Sequence, residues 1–350
     1  MKNLKLHTPT GLQDHLPQAF LQKRTVERQI ETIFERYGYS FISTPTLEYL
    51  AVFEGKGGIS TSEIYKLADK NGDILALRPD MTPAVARMVA THDLVKSPLR
   101  VCYTEKIFRD NERFLGRVNE LTQAGAELMG LSSPKADAEI IALAVEAFLA
   151  VGLSNFRVDI GQVDFLPGVL SELKTALSEE ECLAFIDHMI RRNYVAAEEI
   201  AVKAKHIIPV GSLLSNLTQL AGGLDVLTRT RNMLKDQQAL AALSHLEKIY
   251  EILQKKNYEK YIFLDLCMTG QLDYYTGVIF KGYAKGSATT VVDGGRYDQM
   301  LAAFSGGKTI PAVGFGIKID RVLEALKVQG VASEKSNASK ASNESGELKC

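Results

Sequence analysis

Between Gln22 and Tyr37 the apolar side chains Val26, Ile30, Ile33 and Phe34 recur three and four residues apart among charges, and Gly38 follows them. That pattern predicts an amphipathic helix with a glycine stop. The next stretch, YSFISTPTLEY, is aromatic and β-branched, which predicts a strand with Pro45 at an edge or an interface. ILALRPD, LRVCYTEKIF and VNELTQAGAELMG read as further strands, the last two forming an antiparallel hairpin across a charged loop at residues 110–117. Residues 136–151 carry a strong helical pattern, and FRVDIG predicts a short strand after it.

From about Phe165 to Glu259 the pattern is almost continuously helical, interrupted at GSLLSN and AGG, and reads as an inserted helical lobe. Strand patterns return at YIFLDLC, GVIFKGYA, TTVVDGG and PAVGFGI, and IDRVLEAL reads as a closing helix. Strands, then helices, then strands again predict an α+β core over residues 1–328 with an insertion at 165–259, rather than a βαβ repeat. Residues 329–350 are Ser, Lys, Asn, Glu and Ala with hardly an apolar side chain, so a disordered polar tail is expected there.

Charge narrows the function. The formal net charge is -1, whereas chains that live on nucleic acid carry a basic excess or a basic face. Cys102, Cys182, Cys267 and Cys350 form no C-x-x-C pair, so neither a metal site nor a disulfide framework is expected. No signal-peptide core and no bilayer-length apolar run occurs, which places the chain in the cytoplasm, not in a membrane. The sequons at Asn216, Asn337 and Asn343 then carry no sugar.

Two kinds of candidate chemistry stand out. Arg78 in LRPDMTPAVAR, Arg109 in IFRDNERFLGR and Arg321 in PAVGFGIKIDR present planar forks of donors that suit an anionic ligand or nucleotide. In MTGQLDYYTGVIF, adjacent Tyr274 and Tyr275 follow a carboxylate, with no arginine or lysine beside them. That composition suits a small polar ligand better than catalysis of charge transfer.

Taken in order, STPTLEY, the F-R that ends a strand before a long loop, and the G-F-G-I-x-I-x-R segment resemble motifs 1, 2 and 3 of class II aminoacyl-tRNA synthetases. Within that class the chain resembles histidyl-tRNA synthetase from about Thr8 to Leu326. PTGLQDHLP, YKLADKNGDILALRPDMT, LDYYTG and GGRYDQM carry the likeness. It implies a class II synthetase-like antiparallel sheet flanked by helices, with dimerisation through the strand around Pro45. It also implies that Gln123 and Glu127, four apart on one strand face, meet histidine's amino group and imidazole together with Tyr274 and Tyr275.

The departures from that family are local. Its R-G-L-D-Y-Y segment is Gly270, Gln271, Leu272, Asp273, Tyr274 and Tyr275 here, without the arginine. F-R-Y-E is Phe108, Arg109, Asp110 and Asn111, and G-R-Y-R is Gly116, Arg117, Val118 and Asn119. Lys318 replaces a glycine of motif 3, and Ala76 a threonine beside the ligand's amino group. Loss of one preorganised charge stabiliser typically costs on the order of 10²–10³ in rate. The residues after Val328 are too few for the anticodon-binding domain of the synthetases.

With LRPDMTP in place of L-R-P-E-G-T, the chain resembles the family of ATP phosphoribosyltransferase regulatory subunits, which are histidyl-tRNA synthetase paralogues. The resemblance implies a non-catalytic subunit without a cofactor, and no tRNA as partner. Its expected partner is the short-form catalytic subunit, in a hetero-oligomer of octameric form, for the first step of histidine biosynthesis. L-histidine is the implied effector, which the pocket would hold without reacting it. The alternative is a histidine-adenylating enzyme or a truncated histidyl-tRNA synthetase, with Arg113 or Arg117 standing in for the lost arginine.

Overall fold

The computed structural model describes residues 4–54, 59–96, 98–110, 118–191, 193–207, 209–214, 220–268 and 274–330. Helix α1 (Pro17–Arg36) starts ahead of the periodic stretch, because Pro17 at its first turn has a preset φ and needs no N–H partner. Val26, Ile30, Ile33 and Phe34 form its buried stripe, as their spacing predicts. YSFISTPTLEY is not one strand. β1 (Ser40–Phe41) and β2 (Leu47–Tyr49) join different sheets, and Pro45, with no N–H for a ladder, lies between them.

β3 (Lys66–Ala68) and β4 (Ile74–Leu77) complete a small sheet in the order β2-β4-β3. Helix α2 (Met81–Thr91) follows, capped by Asp80, whose Oδ1 accepts from the Met81 amide at 2.8 Å. β5 (Leu99–Phe108) and β6 (Glu120–Met129) form the expected antiparallel hairpin, in register from Leu99 opposite Met129 to Phe108 opposite Glu120. Helix α3 (Pro134–Val151) is capped by Ser133 and closed by Gly152 at φ 92°, a left-handed turn that favours glycine.

After β7 (Phe156–Gln162) come α4 (Phe165–Ser171), α5 (Glu179–Ile190), α6 (Tyr194–Lys203) and α7 (Val210–Leu214). The two-residue strand β8 (Ala221–Gly222), α8 (Asp225–Arg231) and α9 (Gln237–Lys255) complete this stretch. β9 (Ile262–Asp265), β10 (Val278–Ala284), β11 (Val292–Arg296), β12 (Ala312–Lys318) and α10 (Ile319–Val328) end the described chain.

The 165–259 stretch merges with the rest at its far end. α9 buries Ala239, Ala242, Leu243, Leu246, Ile249 and Leu253 along one stripe and packs on α3 and β7. β8 pairs with β9, so this stretch also supplies the outermost strand of the large sheet.

The large sheet runs β1-β5-β6-β12-β11-β10-β7-β9-β8. It is antiparallel except at β1–β5 and β7–β9, which are parallel. Alternation along β6 sorts the two faces. Ala124, Ala126 and Leu128 join the core under α1, α3 and α10, where Phe34 meets Phe315 edge to face. Gln123, Gly125 and Glu127 point the other way. Among the described residues, no helix is long and apolar enough to cross a membrane.

Candidate functional site

On its second face β6 lies beside a strand that offers glycines opposite Glu127 and Gly125. Glu127 is opposite Gly314 on β12, Gly125 opposite Gly316, and Gln123 opposite Lys318. A Cβ at Gly314 would overlap Glu127 Oε2, and one at Gly316 would overlap Gln123 Nε2. Both polar side chains therefore lean across β12, which only glycine permits. Gly125 gives the same room to the Tyr103 hydroxyl, and Gly295 to the Tyr275 ring, whose edge would stand 2.7 Å from a Cβ.

Glu127 is fully buried and accepts three hydroxyls, from Tyr297, from Thr82 at 3.1 Å and from Tyr103 at 3.3 Å. Burial pushes its carboxyl up to about 8, the three hydroxyl bonds pull it partly back, and the charge of nearby Asp80 adds to the rise. Asp80 is itself buried, and its Oδ2 accepts the Tyr274 hydroxyl at 3.5 Å. Among the described residues neither carboxylate is in an ion pair.

Tyr274 touches Tyr275 with ring centroids 4.7 Å apart and meets Tyr297 edge to face at 6.1 Å. Burial pushes the phenols of Tyr103, Tyr274, Tyr275 and Tyr297 upward, so all four stay protonated donors. On the same face of β6 as Glu127, Gln123 Oε1 is buried and has no hydrogen-bond partner among the described residues. A buried carbonyl oxygen left so costs about 1–3 kcal/mol.

Gln123 and Glu127 thus lie on one face of β6, with Tyr274 packed against Tyr297 and Tyr275 laid over Gly295 of the same sheet, while Arg78, Arg109 and Arg321 each bond within the chain. Arg78 is a correction to the anion-binding expectation, since it is buried and spent on its own chain. Its Nε donates to the Lys106 carbonyl at 2.8 Å, Nη1 to the Thr44 carbonyl at 2.7 Å, and Nη2 to Glu105 Oε2 at 2.7 Å. Arg109 Nε donates to the Pro79 carbonyl at 3.0 Å, and Arg321 Nη1 grips Glu324 of its own helix at 2.7 and 2.9 Å.

Lys318, on the pocket face beside Gln123, turns its Nζ to Asp293 Oδ2 at 2.6 Å and Thr290 Oγ1 at 2.8 Å. Burial alone would raise the Asp293 carboxyl, but Lys318 holds it below its ordinary value. Ala76 is buried in the small sheet with Phe53 and Ile64. Gly270–Asp273, Asn111, Arg113, Gly116 and Arg117 lie outside the described residues.

Sequence reasoning did not single out Asp80, Thr82, Tyr103 or Tyr297. Tyr103 had a signal in the pairing, because a bulky residue directly across from Gly125 lies over the space that glycine leaves. Tyr297 stands in GGRYDQM, where its side chain takes the face opposite to that of Arg296.

Residues 11–322 match the family model described as histidyl-tRNA synthetase. The chain is 38% identical to the ATP phosphoribosyltransferase regulatory subunit of Clostridium novyi, over 95% of this chain and 79% of that protein. It is also 38% identical to that of Thermoanaerobacter pseudethanolicus, over 93% of this chain and 84% of the relative. A solved structure from Bacillus halodurans, described as an ATP phosphoribosyltransferase regulatory subunit/histidyl-tRNA synthetase, superposes with a TM-score of 0.84. It is 32% identical and covers 92% of this chain and 83% of its own. With its class II synthetase-like fold and its hydroxyl-held glutamate pocket, the chain belongs to the histidyl-tRNA synthetase-like family of ATP phosphoribosyltransferase regulatory subunits.

Proposed function

We propose that the pocket of Gln123, Glu127, Tyr274 and Tyr275 binds free L-histidine, and that this binding feedback-inhibits a short-form ATP phosphoribosyltransferase catalytic subunit which this chain otherwise activates. The observation that carries the reading is the buried, partnerless Gln123 Oε1 on the same strand face as Glu127. Histidine brings an ammonium group with three donors and an imidazole that donates through one nitrogen and accepts through the other. Gln123 Oε1 and the Asp80 carboxylate suit the ammonium, while Glu127 and the tyrosine hydroxyls suit the ring.

Chemistry is not assigned to this chain. The residue at the synthetases' catalytic arginine is Gly270, and Lys318 is committed to Asp293 on the pocket face. Arg109 and Arg321 remain as the residues for any residual nucleotide affinity. The working form is a cytoplasmic hetero-octamer, built on a homodimer through the segment around Pro45, without tRNA. Exposed Phe41, Leu47 and Tyr49 on β1 and β2 support that dimer edge.

Inhibition requires only that histidine bind two arrangements of the complex unequally, and a coupling of about 1–3 kcal/mol gives a five- to 150-fold effect. The test is phosphoribosyl transfer by a short-form catalytic subunit with and without this chain, titrated with histidine. The expected result is activation that histidine reverses, with reversal lost in Glu127→Ala and activation kept. Histidine inhibition that persists in a folded Glu127→Ala complex would put the sensor elsewhere.

A further inference from the structure

On the helix side of the sheet, behind the pocket, one buried cluster ties together the segments that carry the site tyrosines. Asp137, in the first turn of α3, is fully buried and uses both oxygens. Its Oδ1 accepts Arg296 Nε at 3.0 Å and Nη2 at 2.6 Å, and its Oδ2 meets His245 Nε2 of α9 at 2.6 Å. Arg296 Nη1 donates to Asp298 Oδ1 at 3.0 Å and to the Leu131 carbonyl at 3.2 Å.

From that cluster the connections run to the pocket through short covalent steps. Tyr297, which donates to Glu127, stands between Arg296 and Asp298. Thr276, next to Tyr275, donates its amide to the Arg296 carbonyl at 2.8 Å, and its Oγ1 accepts the Asp298 amide at 2.9 Å. A Cβ at Gly277 would stand 3.0 Å from Arg296 Cδ, so this loop lies directly on the arginine stem. Hydrophobic side chains of the same volume would hold the layers together as well as a buried ion pair does. What the ion pair adds is a fixed geometry for both tyrosine segments.

We infer that His245, Asp137 and Arg296 are positioning residues that hold Tyr297 and the Tyr274–Thr276 loop in their histidine-binding arrangement and connect that arrangement to helix α9. This rests on the histidine reading of the pocket. His245 is the part of the anchor that α9 supplies and the part nearest solvent, with 28% of its side chain exposed. A shift of α9 against α3 would withdraw one partner from Asp137, and the Arg296 anchor under both tyrosine segments would feel it.

The test uses the full chain with 3-fluorotyrosine incorporated, the Tyr274 and Tyr297 resonances being assigned by Tyr→Phe variants. Histidine affinity is measured by calorimetry on the same samples, for the wild type, His245→Ala and His245→Gln. In His245→Ala, both resonances are expected to move without ligand, and histidine affinity to fall by roughly two- to thirtyfold. His245→Gln, whose amide can donate to Asp137, is expected to restore most of both. Unmoved resonances and an unchanged affinity, with only a lower unfolding temperature, overturn the inference. If the resonances move as expected but the wild type does not bind histidine, the anchor stands and the histidine reading falls.

Discussion

Glu127 and Asp137 are both fully buried, one on each face of the same sheet, and their surroundings differ in kind. Asp137 is saturated by a guanidinium and an imidazole, so its charge is balanced within the fold. Glu127 has hydroxyls only, a second carboxylate nearby and a carboxyl pushed up to about 8 by burial. On one face the buried acid is neutralised within the fold, and on the other it is held by neutral hydroxyls alone. Under the proposed reading, the acid whose counter-charge is missing from the fold is the one that meets the ligand.

The comparison is broken most directly at Asp137. Asp137→Ala takes the acceptor from Arg296 Nε and Nη2 in the core, leaving only the Nη1 bonds to Asp298 and the Leu131 carbonyl, and is expected to lower stability by about 3–5 kcal/mol, read from the urea midpoint. Glu127→Gln strands no cation, so the same measurement is expected to show little loss. Its effect falls on histidine affinity, which calorimetry should find weaker by about 1.5–3 kcal/mol, the range for a hydrogen bond to a charged group. Equal stability costs for the two substitutions would erase the distinction between the faces.

Gly314→Ala sharpens it from the backbone side. The new Cβ displaces Glu127, so histidine binding should be lost while stability falls by about 1–3 kcal/mol, the usual cost of overpacking.

The pH dependence separates the faces more finely. The folded protein keeps the Glu127 proton up to about pH 8, whereas the unfolded chain gives it up near the ordinary carboxylate value of 4.5. Stability from this group is therefore full below that lower value and falls as pH rises through the window, and Glu127→Gln should flatten that fall. A ligand whose imidazole N–H donates to Glu127 favours the ionised carboxylate instead. Histidine binding that ionises Glu127 is expected to release a proton near pH 7, seen as a dependence of the calorimetric heat on buffer ionisation that Glu127→Gln abolishes. As a control away from both faces, Arg191→Ala breaks only the exposed pair with Asp187 on α5 and should shift stability by under about 0.5 kcal/mol.

Local pattern carried a good part of the fold. The β5–β6 hairpin, α3 and α10 follow from alternation and helical spacing, and the two-residue period alone puts Gln123 and Glu127 on one face. Partner choice was not legible. YSFISTPTLEY has strand composition throughout, yet its two ends find different sheets on either side of Pro45. The stripe on α9 announces burial without saying that α3 and β7 supply the other side.

Arg78 exposes the same limit at a site. Sequence gives the guanidinium and its chemistry, but its acceptors are the carbonyls of Thr44 and Lys106, which no local pattern brings near. Tyr297 and Asp80 reach the pocket from segments far from Glu127 in the chain. Their membership follows from the closing of the sheet and the docking of α2, both long-range events.

The glycines of β12 and β11 have a thermodynamic consequence. Glu127, Gln123 and the Tyr275 ring lie close over those glycines, and Glu127 is held there by three hydroxyls, so these side chains are confined before a molecule settles among them. Ordering each free, rotamer-rich side chain on binding costs about 0.5–1.5 kcal/mol, and most of that cost is absent here. Recognition at such a place loses little side-chain freedom. Its selectivity is set by the pitch of neighbouring strands, which changes only when a whole strand moves.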